Sequence, residues 1–237
     1  MKRTIFIAGA ACLLLAACAK KGAYVNPSYE NKDIVATTLV LAPLTAEPQI
    51  NYPEEIKQDL LRDFPQDLYA AFIRTGLPQS LKTQSQFKEA GSDAFKGSPL
   101  LQPRIFNLTN DQLLSVSLPV APGIEFDSLR ADFVLFLENV TLSLGRDRVE
   151  DSDPRKTYKV AGGTDETDAT FQSVRGYRFN LLHTSYYVFY DNHTGKVAAY
   201  GVAQTETPVT NESVEFIFKH SMDDLAGAIL KNTPFNK

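Results

Sequence analysis

The chain has 237 residues, 43% of them hydrophobic, with 28 acidic against 24 basic side chains for a formal net charge of −4. That length is ample for a real hydrophobic core. A mildly acidic balance with no basic cluster excludes nucleic-acid binding and electrostatic adhesion to anionic lipid. Both cysteines, Cys12 and Cys18, fall at the start. A chain shortened past Cys12 and blocked at Cys18 has no free thiol, no disulfide, no thiolate metal ligand and no cysteine nucleophile.

Lys2 and Arg3 precede a run of small and apolar residues from Thr4 to Ala17. The run is shorter than the roughly 20 residues that cross a bilayer, and it ends at Lys20-Lys21. Charge, length and the small residues Ala16-Ala17 make it a secretory signal. Leu15-Ala16-Ala17-Cys18 resembles the bacterial lipoprotein signal, the lipobox. The resemblance implies cleavage before Cys18, a diacylglycerol on its thiol and an acyl chain on its amino group. Two or more acyl chains hold a protein at a membrane stably, where one does so only marginally. In such lipoproteins aspartate after the cysteine marks inner-membrane retention. Ala19 stands there, so the resemblance implies the outer membrane, on its periplasmic side. Loss of Lys2 and Arg3 would leave 28 acidic and 22 basic residues, a charge of −6.

Residues 18–33 read as a lipidated tether, polar and without apolar period, spanning roughly 20 Å as a coil. Residues 34–237 read as a single domain. Its first strand is expected over 34–44, where Leu39-Val40-Leu41 implies burial on both faces and Pro43 ends the run. Ile56, Leu60, Phe64, Leu68 and Phe72 recur at helical spacing. Pro65 predicts a kink or short break, Gly76 a C-terminal cap, and Pro78 a stop. Residues 78–99 predict an irregular connection with a helical turn near 85–90. Short strands are expected around Arg104-Ile105-Phe106 and over 113–118, with a loop at Pro119, Pro122 and Gly123.

The strongest strand pattern covers 131–145: the block Phe133-Val134-Leu135-Phe136-Leu137, then Val140, Leu142 and Leu144 alternating with Thr141 and Ser143. The densely charged 146–156 segment predicts a solvated hairpin tip, and 165–168 lies in a second loop. Tyr177 to Tyr190 and residues 197–206 form a hairpin around Asp191-Asn192-His193-Thr194-Gly195-Lys196. Thr210 or Asn211 caps a last helix, whose buried stripe is Val214, Ile217, Phe218, Ser221, Leu225, Ala228 and Ile229. The expected fold is α+β, with a mixed, mostly antiparallel sheet and two main helices packed on one face.

That order is similar to a group of envelope lipoproteins: the curli-secretion and penicillin-binding-protein-activator lipoproteins and the auxiliary lipoproteins of ABC transporters. The elements that carry it are the strand ending at Pro43, the helix before Gly76, Ala131-Asp132-Phe133-Val134-Leu135, Asp191 with Thr194-Gly195-Lys196-Val197, and the C-terminal helix. Residues 78–99 and 146–156 depart from the pattern, and no long amphipathic strands suited to a pore are present.

Three histidines, His183, His193 and His220, stand mid-strand, in a turn and beside a helix stripe. No two have metal-ligand spacing, and no nucleophile elbow or phosphate-binding glycine motif occurs. Glu150-Asp151-Asp153 and Asp165-Glu166-Asp168 lack the glycine and distal glutamate of a calcium loop. No metal, cofactor or catalytic residue is expected. The run Tyr186-Tyr187-Val188-Phe189-Tyr190 is apolar on both faces. It reads as a buried strand or, alternatively, as an aromatic platform of Tyr186, Tyr187, Phe189 and Tyr190 for a glycan or partner. The reading is therefore a non-enzymatic adaptor or assembly factor, held to the membrane through lipid at Cys18 and docking another envelope protein. A lipid- or glycan-binding module and a hydrolase with dispersed carboxylates are the alternatives.

Overall fold

The computed structural model describes residues 23–30, 34, 38–52, 65–108, 112–148, 177–209, 213–231 and 233–236. Cys18, the first half of the expected first helix and the two acidic loop clusters lie outside them. The strands are β1 Ala23–Val25, β2 Thr38–Leu41, β3 Gln49–Asn51, β4 Glu89–Ser92, β5 Leu101–Asn107, β6 Leu113–Pro119, β7 Phe133–Arg148, β8 Tyr177–Asp191 and β9 Val197–Pro208. The helices are α1 Gln66–Ala71, α2 Leu77–Gln84 and α3 Val214–Leu230, with a π-helical turn Phe72–Gly76 joining the first two. None of these helices is long and apolar enough to cross a membrane.

The fold is α+β. Seven strands form one mixed sheet in the order β1-β9-β8-β7-β2-β4, with β3 also on β7. The long pairings β7–β8 and β8–β9 are antiparallel, while β2 runs parallel to both β7 and β4. One face carries the helices. Leu39, Leu41, Leu135, Tyr187 and Phe189 meet Tyr69, Ile73, Leu77, Phe218, Met222 and Leu225 there. The other face is covered by a separate two-stranded ribbon, β5–β6. Val40, Val134, Phe136, Val188 and Tyr190 meet Leu114, Val116 and Leu118 of that ribbon. The apolar character of β8 on both faces follows from this: each face has its own cover.

Strand β7 carries one extra residue between Glu138 and Thr141 relative to β8. Asn139 lies there at φ 49°, in the left-handed region that asparagine tolerates better than most residues. Odd-numbered Leu135 and Leu137 precede the bulge and even-numbered Val140, Leu142 and Leu144 follow it, all toward the helices. The bulge sits where β7 changes neighbours, since β2 pairs with Phe133–Leu135 and β3 with Thr141–Ser143.

Four expectations are corrected. The tether does not extend to 33, because Ala23, Tyr24 and Val25 pair with Gly201, Tyr200 and Ala199 on β9. Asn26 Nδ2 donates to Val197 O at 3.0 Å, and the Tyr29 hydroxyl donates to Asp191 Oδ2 at 2.6 Å. Second, Gly76 does not cap a helix. Its φ is −72°, and the chain stays helical to Gln84. A Cβ at Gly76 would lie 3.1 Å from Phe72 Cδ1 and 3.3 Å from Met222 Cγ, so the glycine makes room for the Phe72 ring and for the close approach of α3. Third, Pro78 is accommodated by the π turn, in which Leu77 N–H bonds Phe72 O. That wider register absorbs the ladder bond a proline cannot donate. Residues 85–90 then lead into edge strand β4 rather than a helical turn. Fourth, Ser213 is the N-cap of α3, its Oγ accepting from Phe216 N–H at 3.3 Å. Ser213→Ala should therefore lower stability by about 1 kcal/mol in denaturant unfolding, whereas substitutions at Thr210 should not reproduce that loss.

Candidate interaction surface

The ribbon turns one face to the sheet and one away. Pairing places Gln102 with Leu118, Arg104 with Val116 and Phe106 with Leu114 on the inner face. The outer face holds Leu101 with Pro119, Pro103 with Ser117, Ile105 with Ser115 and Asn107 with Leu113. None of those outer residues is charged. Ile105 is 69% exposed and Leu113 67% exposed. Leu100 and Val120, flanking the ribbon's end, are 70% and 46% exposed. A merely solvated strand face normally alternates with charged or polar residues. Here the polar ones are two serines and an asparagine, and five of the six exposed large hydrophobics among the described residues lie on or beside this ribbon.

Two tyrosine hydroxyls pin the ribbon at its ends. Tyr190, buried on β8, donates to Ala121 O at 3.2 Å. Tyr200 on β9 donates to Asn107 O at 3.2 Å. The Tyr200 ring is also stacked with Tyr24 of β1 at 4.8 Å and touches Phe106 at 4.7 Å. The exposed Tyr24 ring thus adjoins the Asn107–Leu113 end of the ribbon. Cys18 is only five residues before Ala23, so even fully extended backbone keeps it within about 18 Å of β1.

The aromatic platform expected from β8 is not a surface. Tyr187, Phe189 and Tyr190 are all buried, and Tyr186 is half-buried against the ribbon-side core. The physical reason is double coverage of the sheet. Tyr187 and Phe189 face the helices, Phe189 stacking against Phe87 and Phe235, while Tyr190 faces the ribbon it holds.

The three histidines are scattered. His183 is fully buried on the helix face, its ring nitrogens 3.1 Å from the Tyr69 hydroxyl. Burial drives its pKa down to about 3, so it is neutral. His193 Nε2 lies 2.8 Å from Asp132 Oδ1, and His220 touches the ring of Phe216 at 4.5 Å. The other oxygen of Asp132 accepts Thr38 N–H at 2.9 Å. Asp191 accepts from Tyr29 and from the N–H groups of His193 and Thr194. Burial alone would raise its pKa, but those hydrogen bonds outweigh it and the net shift is downward. Burial and the Asp191 carboxylate raise the Tyr29 phenol to about 12, so it is no general base at neutral pH. Each polar group in this corner fastens β1, the β8–β9 turn and the start of β7 together. Among the described residues no three His, Cys, Asp or Glu side chains group as metal ligands.

Sequence reasoning found both ribbon strands but not the face they present. Leu113, Ser115 and Ser117 alternate with Leu114, Val116 and Leu118, which gives the period. Both phases begin with leucine, so only the sheet behind decides which is covered.

No protein-family description matches the chain, and no curated protein matches it. Among solved structures it is similar to one described as a putative neuraminyllactose-binding hemagglutinin homolog from Helicobacter pylori. The likeness covers 83% of this chain and 82% of that one at 12% identity, with a TM-score of 0.35.

Proposed function

We propose that this chain is a lipid-anchored protein of the bacterial cell envelope that works by binding, as a non-enzymatic adaptor or assembly factor on the periplasmic side of the outer membrane. The observation that carries the reading is a juxtaposition. Leu15-Ala16-Ala17-Cys18, the pattern for acylation, stands five residues before a strand whose Tyr24 adjoins an uncharged, aliphatic ribbon face. The acyl chains supply membrane affinity that a net acidic domain does not obtain from electrostatics. Large side chains left uncovered on a rigid, pinned ribbon mark a surface that meets a membrane or a partner, and this one stands beside the acylation point. The deeper polar groups support the same reading, since they bond to the turns and strands they hold.

The reading is tested on protein isolated from membranes. The N-terminal peptide should begin at Cys18 and carry the mass of a diacylglycerol and a further acyl chain. Cross-linking in gently solubilised membranes should recover a specific envelope partner. A chain still starting at Met1, or a free Cys18 thiol, would overturn the anchor. Recovery of the protein always alone would overturn the adaptor role.

A further inference from the structure

We propose that the outer face of the β5–β6 ribbon lies against the lipid surface, so that the domain is held in one orientation rather than swinging freely. This deepens the proposed function and rests on acylation of Cys18.

Three observations converge. The first is reach. Ala23, Tyr24 and Val25 are paired with β9, so Cys18 stands five residues from the sheet and at most about 18 Å away. A domain on so short a leash keeps part of its surface at the bilayer, and the part beside the leash is selected. Tyr24 stacks on Tyr200, whose hydroxyl bonds Asn107 O, and Asn107 pairs with Leu113. The linker therefore leaves beside the Leu113 end of the ribbon.

The second is chemistry. Ile105 and Leu113 are exposed on the outer face, Tyr24, Leu100 and Val120 are exposed beside its two ends, and the outer positions of the two paired strands carry no charge. Apolar side chains entering the boundary between headgroups and acyl chains lose water, and a tyrosine ring suits the same depth. A carboxylate or ammonium on that face would resist such entry, and none of its described outer positions carries one. The third is rigidity. The inner residues Leu114, Val116 and Leu118 are buried against the sheet, and both ribbon ends are pinned. The face is thus presented at little further ordering cost. Tethering keeps the local lipid concentration high, so weak intrinsic affinity suffices. In this pose the helix side points away from the membrane, leaving α2 and α3 open to a partner.

The test uses the acylated full-length mature protein in phosphatidylethanolamine–phosphatidylglycerol vesicles. With Cys18 blocked by lipid, a single introduced thiol is unique. Ile105→Cys and Leu113→Cys, with the exposed helix positions Lys82→Cys and Lys219→Cys as controls, are each labelled with a polarity-sensitive fluorophore. Expected are a blue-shifted emission at 105 and 113 and quenching by headgroup-region nitroxide lipids severalfold stronger than at 82 and 219. Equal, solvent-like emission at all four positions on vesicle-bound, acylated protein overturns this proposal alone. So does protection of 105 and 113 by a second copy or another protein, detected by cross-linking in native membranes. A mature chain without acyl groups by mass overturns the anchor and this orientation together.

Discussion

Acidification from pH 7 to pH 4 will lower the unfolding free energy by about 3 kcal/mol through His183 alone, and by about 2 kcal/mol already at pH 5. The cause is location. His183 is fully buried under the helices, with Tyr69 as its neighbour and its pKa depressed from 6.5 to about 3 by loss of water. The unfolded chain regains the ordinary imidazole pKa. Between those values the unfolded state binds a proton that the folded state refuses, so stability falls as pH falls. The contribution is intact above about pH 6.5 and is lost progressively toward pH 3. Carboxylates such as Asp191, held below its ordinary range, lose stability in the same direction, so wild-type data alone do not isolate the imidazole. His183→Gln does, because glutamine offers Tyr69 a neutral hydrogen-bonding group that never titrates in this range. Urea unfolding at pH 7, 5 and 4 should show the gap between variant and wild type shifting toward the variant by those amounts. A gap that stays constant with pH would show that His183 takes up protons in the folded state as easily as in the unfolded one.

Phe235→Ala should cost about 3–5 kcal/mol, the range for emptying a buried phenylalanine site. Phe235 is fully buried although only a short segment beyond α3 delivers it. Its ring meets Phe133 at 4.7 Å, Phe189 at 4.8 Å and Phe87 at 5.0 Å, joining β7, β8 and the α2–β4 connection. Backbone bonds fix it there: Gln86 N–H donates to Phe235 O at 3.1 Å, and Ser85 bridges to Asn236. Three rings of the sheet face and the connection lose contacts at once, and the backbone clamp limits collapse into the space. Denaturant unfolding of the variant beside Ile105→Ala gives the contrast. The ribbon isoleucine is exposed, and its truncation should move stability by less than about 0.5 kcal/mol.

Local chemistry was the part of this fold that the residues announced. The Asp191–Gly195 turn was legible because its hydrogen bonds and the positive φ of Gly195, 72°, are satisfied within six residues. The slip from Leu137 to Val140 was hidden, because the continuous block Phe133–Leu137 offers both phases and Val140, Leu142 and Leu144 continue that of Val134 and Phe136. Its meaning as a bulge depended on β2 giving way to β3 along β7, which no window of β7 contains. Gly76 and Pro78 gave a sound local stop signal, but the π turn carries the helix through them and Gly76 instead makes room for Phe72 and for Met222, almost 150 positions away. The β8 aromatics fit either a buried strand or an exposed platform, since a strand apolar on both faces suits both until its covers are known. The ribbon face went unread for the complementary reason: leucine begins both of its phases.

Strand β1 joins the sheet at β9, with Ala23 opposite Gly201. These partners stand 178 positions apart, and such distant pairings form slowly because a long loop must close first. Until they meet, the backbone groups of β9 at Ala199–Gly201 stand open, a template for any extended peptide. Strand β1, the first of the described strands, is therefore expected to close that edge late in folding. A shortened version starting at residue 34 would keep that template bare, and would be the form most prone to capture a neighbour's strand or to stick in aggregates.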